Sequence, residues 1–127
     1  HLVRVKNITG TSDDCELVAA GQKWAHGKLG DKESAARSQS YYLDVTIPQA
    51  NKGTVVATLS KLLNIPVANI ATMGDMPNDV SMFRVSGFSI AMGNASDEVK
   101  AQVSAVTDSN ENEGFAKAVR KFVLRKV

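Results

Sequence analysis

Apolar positions after Pro48 alternate between helical and strand spacing. The apolar residues between Val55 and Leu63 recur at helical spacing, which predicts an amphipathic helix from about Gly53 to Asn64 that ends before Pro66. Short apolar runs predict strands at residues 70–73, 88–92 and 105–107. Further helices are predicted to begin at Pro77, to begin after Ser96, and to cover residues 115–123. Repeated strand–helix units of this kind predict an α/β fold, a parallel sheet with flanking helices.

The first 46 residues follow a different pattern. A strand is predicted at residues 2–6, and a helix is predicted from Ser12–Asp14 to about Lys28, ending at Gly30. Two extended segments follow at residues 32–37 and 41–46. This β-α-β-β order is typical of an open α/β layer rather than a parallel sheet. We therefore predict two parts, residues 1–46 and 47–127, joined at residues 46–50.

Composition narrows the class of protein. The chain has 127 residues, of which 43% are hydrophobic and 22% charged, values that argue against a disordered or fibrous protein. The single cysteine, Cys15, excludes an intramolecular disulfide and a cysteine metal cage. No apolar run approaches the ~20 residues that cross a bilayer. These features predict a cytoplasmic protein without a membrane partner.

Charge does not indicate nucleic-acid binding. The 15 basic and 13 acidic side chains give a net charge of +2. The basic excess lies in the last predicted helix, and it is less dense than the basic stripe of a typical nucleic-acid binder. It is typical of a solvated helix face. We predict no nucleic-acid partner.

The richest candidate chemistry lies in Gly74-Asp75-Met76-Pro77-Asn78-Asp79. Ligands of open parallel sheets bind at the carboxyl ends of the strands, where Asp75 follows the strand at residues 70–73. Asp79 comes one helical turn later, so both carboxylates could face one pocket. Hard oxygen ligands beside the backbone N–H groups of a helix start suit a Mg²⁺ ion with a phosphate attached. Asn78 could donate a hydrogen bond to an oxygen of that phosphate. The alternative is that these acids only cap a helix.

Two further stretches flank this loop. In Asn51-Lys52-Gly53 a lysine stands at a predicted helix start, where the helix dipole opposes it unless an anion is bound. The alternative is a solvated lysine beside a glycine turn. Ala91-Met92-Gly93-Asn94-Ala95 is a tight strand-to-helix turn whose small residues favour a structural role.

Taken in chain order, residues 51–53, 74–79 and 91–95 resemble the haloacid dehalogenase (HAD) superfamily. They resemble in particular its Cof-type phosphatases of subfamily IIB. The resemblance covers about residues 40–123. It implies that Lys52 binds the substrate phosphate, that Asn78 contacts it, and that Asp75 binds Mg²⁺. Asp79 would support the metal, directly or indirectly, or the lysine. Residues 47–127 would be the carboxyl-terminal part of a HAD-like Rossmannoid core, and residues 1–46 the closing part of an α/β cap.

One departure from the family pattern is decisive for activity. The family's nucleophile and acid/base are aspartates of an Asp-x-Asp stretch, and this sequence contains none. The resemblance thus implies a fragment of a Mg²⁺-dependent phosphatase that forms an aspartyl-phosphate on a residue outside this chain. The chain alone is expected to be inactive, and apolar surface exposed by truncation is expected to support a homodimer.

Three alternatives to this reading stay open. Two are relatives of the phosphatases, a sugar-phosphate mutase and a sucrose-phosphatase-like enzyme. The third is a non-catalytic module that binds Mg²⁺ or phosphate. The substrate is expected to be a small phosphate ester, with sugar phosphates among the candidates.

Overall fold

The computed structural model describes residues 7–30 and 34–124, which belong to two compact units that divide after Asn51. The predicted joint at residues 46–50 lies immediately before this division. We call residues 1–51 the N-terminal unit and residues 52–127 the C-terminal unit.

The N-terminal unit has a β-α-β-β order, with a first strand at residues 7–11 that the sequence pattern does not predict. Its elements are β1 (Asn7–Thr11), α1 (Cys15–Leu29), β2 (Ser34–Gln39) and β3 (Tyr42–Thr46). The strands form an antiparallel sheet in the order β1-β3-β2, in which both Asn7 and Ser34 lie opposite Thr46. The strand predicted at residues 2–6, like the start of the segment predicted at residues 32–37, falls outside the described residues.

Helix α1 begins and ends where the sequence predicts. The Asp14 carboxylate accepts hydrogen bonds from the backbone N–H groups of Glu16 and Leu17, so the first turn is capped. The helix stops at Gly30, whose φ of 54° suits glycine. Val18 and Ala25 on its inner face are buried.

The C-terminal unit is a parallel sheet with flanking helices, as predicted. Its strands are β4 (Ala71–Gly74), β5 (Phe88–Ala91) and β6 (Ala105–Val106), in the order β4-β5-β6. Its helices are α2 (Lys52–Leu63), α3 (Val80–Phe83), α4 (Asp97–Lys100) and α5 (Gly114–Ala118), which runs on as a π-helical turn (Val119–Val123). In the part of the chain that the structure describes, no helix has the length and apolar character to cross a membrane.

The core of this unit is built by α3, β5 and α4. Phe83, Ala91, Ala95 and Val99 form one buried cluster, and Ile90 is 1% exposed. The apolar stripe of α2 does not join it. Val56 is buried, whereas the other four stripe residues are exposed: Val55, Leu59, Leu62 and Leu63. Helical spacing predicts α2 correctly, but that spacing alone cannot say which neighbour covers the stripe.

Candidate active site

The predicted site residues of the C-terminal unit gather around the carboxyl end of β4. Asp75 follows β4 directly, and Asn78 and Asp79 lie in the 3₁₀ turn Pro77–Asp79 that leads into α3. Lys52 is the first residue of α2. Parallel strands present their carboxyl ends at one sheet edge, so the loops after β5 and β6 reach this region as well.

Asp79 is the best-connected residue of the loop. Its side chain is 4% exposed, and its Oδ1 accepts a charge-assisted hydrogen bond from Nζ of Lys52, which is 49% exposed. Its Oδ2 accepts hydrogen bonds from the backbone N–H groups of Asp75 (2.9 Å) and Met76 (3.0 Å). Donors of the protein thus occupy both oxygens of Asp79, and the expectation that both carboxylates face one pocket stays a prediction. Asp79 itself contacts the lysine.

Gly74 makes room for this buried carboxylate. A Cβ atom at Gly74 would lie 2.7 Å from Cβ of Asp79, and closer still to the carboxylate itself. Real Cβ atoms essentially never lie that close to a heavy atom to which they are not bonded. A residue without a side chain is thus required where β4 turns into the acidic loop.

Asp75 differs from Asp79 in having an oxygen to spare. Its Oδ2 accepts a hydrogen bond from Nδ2 of Asn94 at 2.7 Å, while its Oδ1 accepts none from the described residues. The carboxylate is only partly buried. A hard cation fits beside it, because Mg²⁺ commonly takes one or two protein carboxylates and fills its other positions with water and substrate phosphate.

The described ranges do not hold a complete metal cage. No group of three His, Cys, Asp or Glu side chains in residues 7–30 and 34–124 is placed to bind a metal ion. A cation at Asp75 would draw its other ligands from water, from substrate or from residues beyond these ranges.

Asn78 and Ser81 tie the acidic loop to the start of α2. The Ser81 hydroxyl donates to the backbone carbonyl of Asn78 and accepts from the backbone N–H of Gly53, both at 3.2 Å. The side-chain Oδ1 of Asn78 is buried and has no hydrogen-bond partner within the described chain. An unpaired buried amide oxygen costs about 1–3 kcal/mol, which makes this a place where a donor from a ligand or from another segment would fit.

Sequence reasoning missed the two residues that connect the loops. Ser81 stands in no recognisable motif, and Asn94 attracted attention only as part of a turn of small residues. That turn is indeed tight, since a Cβ at Gly93 would lie 2.8 Å from the backbone nitrogen of Ser109. The other polar candidates are isolated: Cys15 is a free, exposed thiol, and His26 is exposed.

Comparison with known proteins identifies a matching family and several relatives of this chain. The family model of haloacid dehalogenase-like hydrolases matches residues 4–119. The chain is 34% identical over 110 residues to Phosphatase YwpJ of Bacillus subtilis, covering 87% of this chain and 38% of that protein. It is 33% identical over 106 residues to the 5-amino-6-(5-phospho-D-ribitylamino)uracil phosphatase YbjI of Escherichia coli, covering 84% of this chain and 39% of that protein.

Solved structures resemble the fold closely. A haloacid dehalogenase-like hydrolase from B. subtilis superposes with a TM-score of 0.83 at 32% identity, over 93% of this chain and 41% of that one. The subclass IIB sugar phosphatase BT4131 superposes with a TM-score of 0.79 at 25% identity, over 93% and 43%. The chain thus spans about two fifths of the length of these relatives.

Proposed function

Because this chain belongs to the haloacid dehalogenase-like hydrolase family, we propose that it forms part of a phosphatase that hydrolyses phosphate monoesters. The observation that carries the proposal is the contact between the Lys52 ammonium and the buried Asp79 carboxylate, next to Asp75 at the carboxyl end of β4. An ammonium ion held at this edge is a point charge well suited to a phosphate group. The likeness to subclass IIB structures supports the subfamily expected from the sequence.

Each site residue has a distinct task in this proposal. Lys52 binds the phosphoryl oxygens, and Asp79 is a positioning residue that holds its ammonium from a fixed, buried place. Asn78 contacts the phosphate. Asp75 would be a ligand of Mg²⁺, because its Oδ1 is the carboxylate oxygen of the loop that has no donor in the described ranges. When bound, Mg²⁺ would offset the negative charge of the phosphoryl group.

The attacking group of this reaction lies outside the chain. An aspartate of an Asp-x-Asp stretch attacks phosphorus through a carboxylate oxygen, the P–O bond to the alcohol breaks, and a general acid protonates the leaving oxygen. Water then hydrolyses the aspartyl-phosphate to release phosphate. Lys52 and Asn78 act throughout by holding the phosphoryl oxygens in place.

The proposal also covers the substrate class, the role of the N-terminal unit and the cellular location. Small phosphate esters, sugar phosphates among them, are the proposed substrates, and the names of BT4131 and YbjI support this class. The N-terminal unit is proposed to be the closing part of the α/β cap domain of the longer enzyme. A cytoplasmic location completes the proposal, supported by the sparing use of cysteine.

Substitutions in the longer enzyme test the assigned roles with p-nitrophenyl phosphate and Mg²⁺. We expect Asp75→Ala to lower kcat/KM by about 10³-fold or more, because several kcal/mol of charge stabilisation is lost. We expect Lys52→Met to lower it by about 10²- to 10³-fold. Lys61→Met is the matched control, since Lys61 is an exposed lysine in the last turn of the same helix. Near wild-type rates for Asp75→Ala, or equal losses for both lysine variants, would reject these roles.

The 127-residue chain provides the complementary test. Without the Asp-x-Asp aspartates it should release no phosphate from p-nitrophenyl phosphate above the buffer rate, with or without Mg²⁺. Appreciable Mg²⁺-dependent turnover by this chain would contradict the proposal that the nucleophile lies elsewhere.

A further inference from the structure

Asn94 joins the three loops at the carboxyl edge of the parallel sheet. Its Nδ2 donates to Oδ2 of Asp75, in the loop after β4, at 2.7 Å. Its Oδ1 accepts the backbone N–H of Asn110, in the loop after β6, at 3.1 Å. Asn94 itself lies in the loop after β5, so a single amide spans all three.

The two contacts fix the orientation of the amide. Turning it over would direct the amide oxygen at the carboxylate of Asp75 and the amide nitrogen at a backbone N–H, so both hydrogen bonds would become repulsive. A side chain held at both ends in this way has little freedom to move.

The loop that carries Asn94 is itself packed tightly. The Gly93 N–H donates to the Asp108 carbonyl at 3.0 Å, and a Cβ at Gly114 would lie 2.7 Å from the Asp108 carbonyl carbon. Lys117 forms an ion pair with the Asp108 carboxylate. The backbone around Asn94 is therefore set by contacts that do not depend on a ligand.

We propose that Asn94 is a positioning residue for Asp75: by occupying Oδ2, its amide leaves Oδ1 as the oxygen that binds the divalent cation. The proposal rests on the proposed function, which makes Asp75 the cation ligand. Hydrogen bonds from neighbouring groups commonly orient metal-binding side chains, and their loss typically weakens metal binding 10- to 100-fold. Asn94 touches neither substrate nor cation, and it acts only through Asp75.

Cation affinity in the longer enzyme tests the proposal directly, with Mn²⁺ as the probe and electron paramagnetic resonance as the readout. We expect Asn94→Ala to weaken Mn²⁺ binding by about 10- to 100-fold. Asn94→Asp should weaken it too, although it adds a negative charge, because a carboxylate cannot donate to Asp75 and repels it. Asn112→Ala and Asn112→Asp are the matched controls: Asn112 bonds to the Ser109 hydroxyl, and both should bind within twofold of wild type.

The Asp variant separates positioning from loop structure. It keeps an oxygen to accept the Asn110 N–H, so hydrogen exchange of that amide should stay as slow as in wild type. If Asn94→Asp binds Mn²⁺ as tightly as wild type or more tightly, Asn94 serves only the loop and the proposal fails. If the wild-type enzyme binds no Mn²⁺, the proposed function fails along with it, so the two failures are distinguishable.

The contact can also be observed without turnover. In the wild-type enzyme the side-chain amide protons of Asn94 should keep their hydrogen-bonded chemical shift when Mg²⁺ saturates the site, because the cation takes the other oxygen. Loss of that shift on adding Mg²⁺ would mean that the cation displaces Asn94, which would overturn the proposal.

Discussion

At the scale of single residues, the candidate site contains a buried carboxylate that three donors hold in place. Asp79 is held by two backbone N–H groups and an ammonium, and Gly74 lies against it without a side chain. A substitution at Gly74 must therefore displace either the carboxylate or the strand end.

Gly74→Ala should destabilise the C-terminal unit by about 1–3 kcal/mol, the usual cost of overpacking. Gly10→Ala is its control, because Gly10 also lies in a strand but a Cβ there meets nothing within 4 Å. That control should be neutral or stabilising by up to about 1 kcal/mol. Urea unfolding followed by circular dichroism measures both, and an unchanged transition for Gly74→Ala would show that Asp79 can move aside at little cost.

Sequence spacing groups polar residues that share one loop, but it does not reveal contacts between loops. Asp75, Asn78 and Asp79 stand within one loop, so spacing alone marks them as a group. The bond from Asn94 to Asp75 joins residues 19 apart, and the bond from Gly53 to Ser81 joins residues 28 apart. Sheet order brings the first pair together and helix packing the second, and a single sequence contains neither directly.

At the scale of elements, helix boundaries were the most predictable feature. The Ser96 hydroxyl accepts the Val99 N–H, and so caps α4 as the sequence predicts. Capping depends on residues within one helical turn, so it can be predicted from the sequence. Burial of the α2 stripe was not predictable, because it depends on an element that the periodicity of α2 does not identify.

The cap of α4 also influences a nearby charge. Hydrogen bonds from the Glu98 backbone N–H and from the Ser96 hydroxyl lower the pKa of the Glu98 carboxyl. A lowered pKa stabilises the folded state above the ordinary pKa of glutamate, and this contribution is lost as the pH falls through the lowered value.

Ser96→Ala should therefore raise the pKa of Glu98 towards its ordinary value and weaken the first turn of α4 by about 0.5–1 kcal/mol. Carboxyl chemical shifts in a pH titration report the first effect, and urea unfolding reports the second. Ser109→Ala is a suitable control, because Ser109 precedes a 3₁₀ turn without capping it through its side chain. A Glu98 titration that is the same in wild type and Ser96→Ala would exclude the serine as a cause.

At the scale of the whole molecule, the exposed side of α2 is the most unusual surface. Leu62 is 77% exposed and Leu63 60%, on a helix that flanks a parallel sheet. Parallel sheets normally have both faces covered, and exposed apolar stripes are normally covered by a partner. In the proposed longer enzyme this stripe is expected to be buried, and in the isolated chain we expect it to be available for a second copy.

We therefore expect the 127-residue chain to form dimers in a concentration-dependent manner. Sedimentation velocity across a range of concentrations measures this, and Leu62→Glu should shift the equilibrium towards monomer. Lys61→Glu changes the charge at an exposed position of α2 that lies off the apolar stripe, and it should shift the equilibrium far less. A chain that stays monomeric at every concentration would contradict the expected dimer.

Local opening of the first turn of α2 would change the geometry of the candidate site. Helix ends open locally at far lower free energy than the whole unit unfolds. One opening of the first turn would release the Gly53 N–H from Ser81 and withdraw the Lys52 ammonium from Asp79 together. If Lys52 binds phosphate as proposed, fraying of this single turn sets the fraction of molecules that can bind it. Affinity for phosphate can then change while the melting temperature does not.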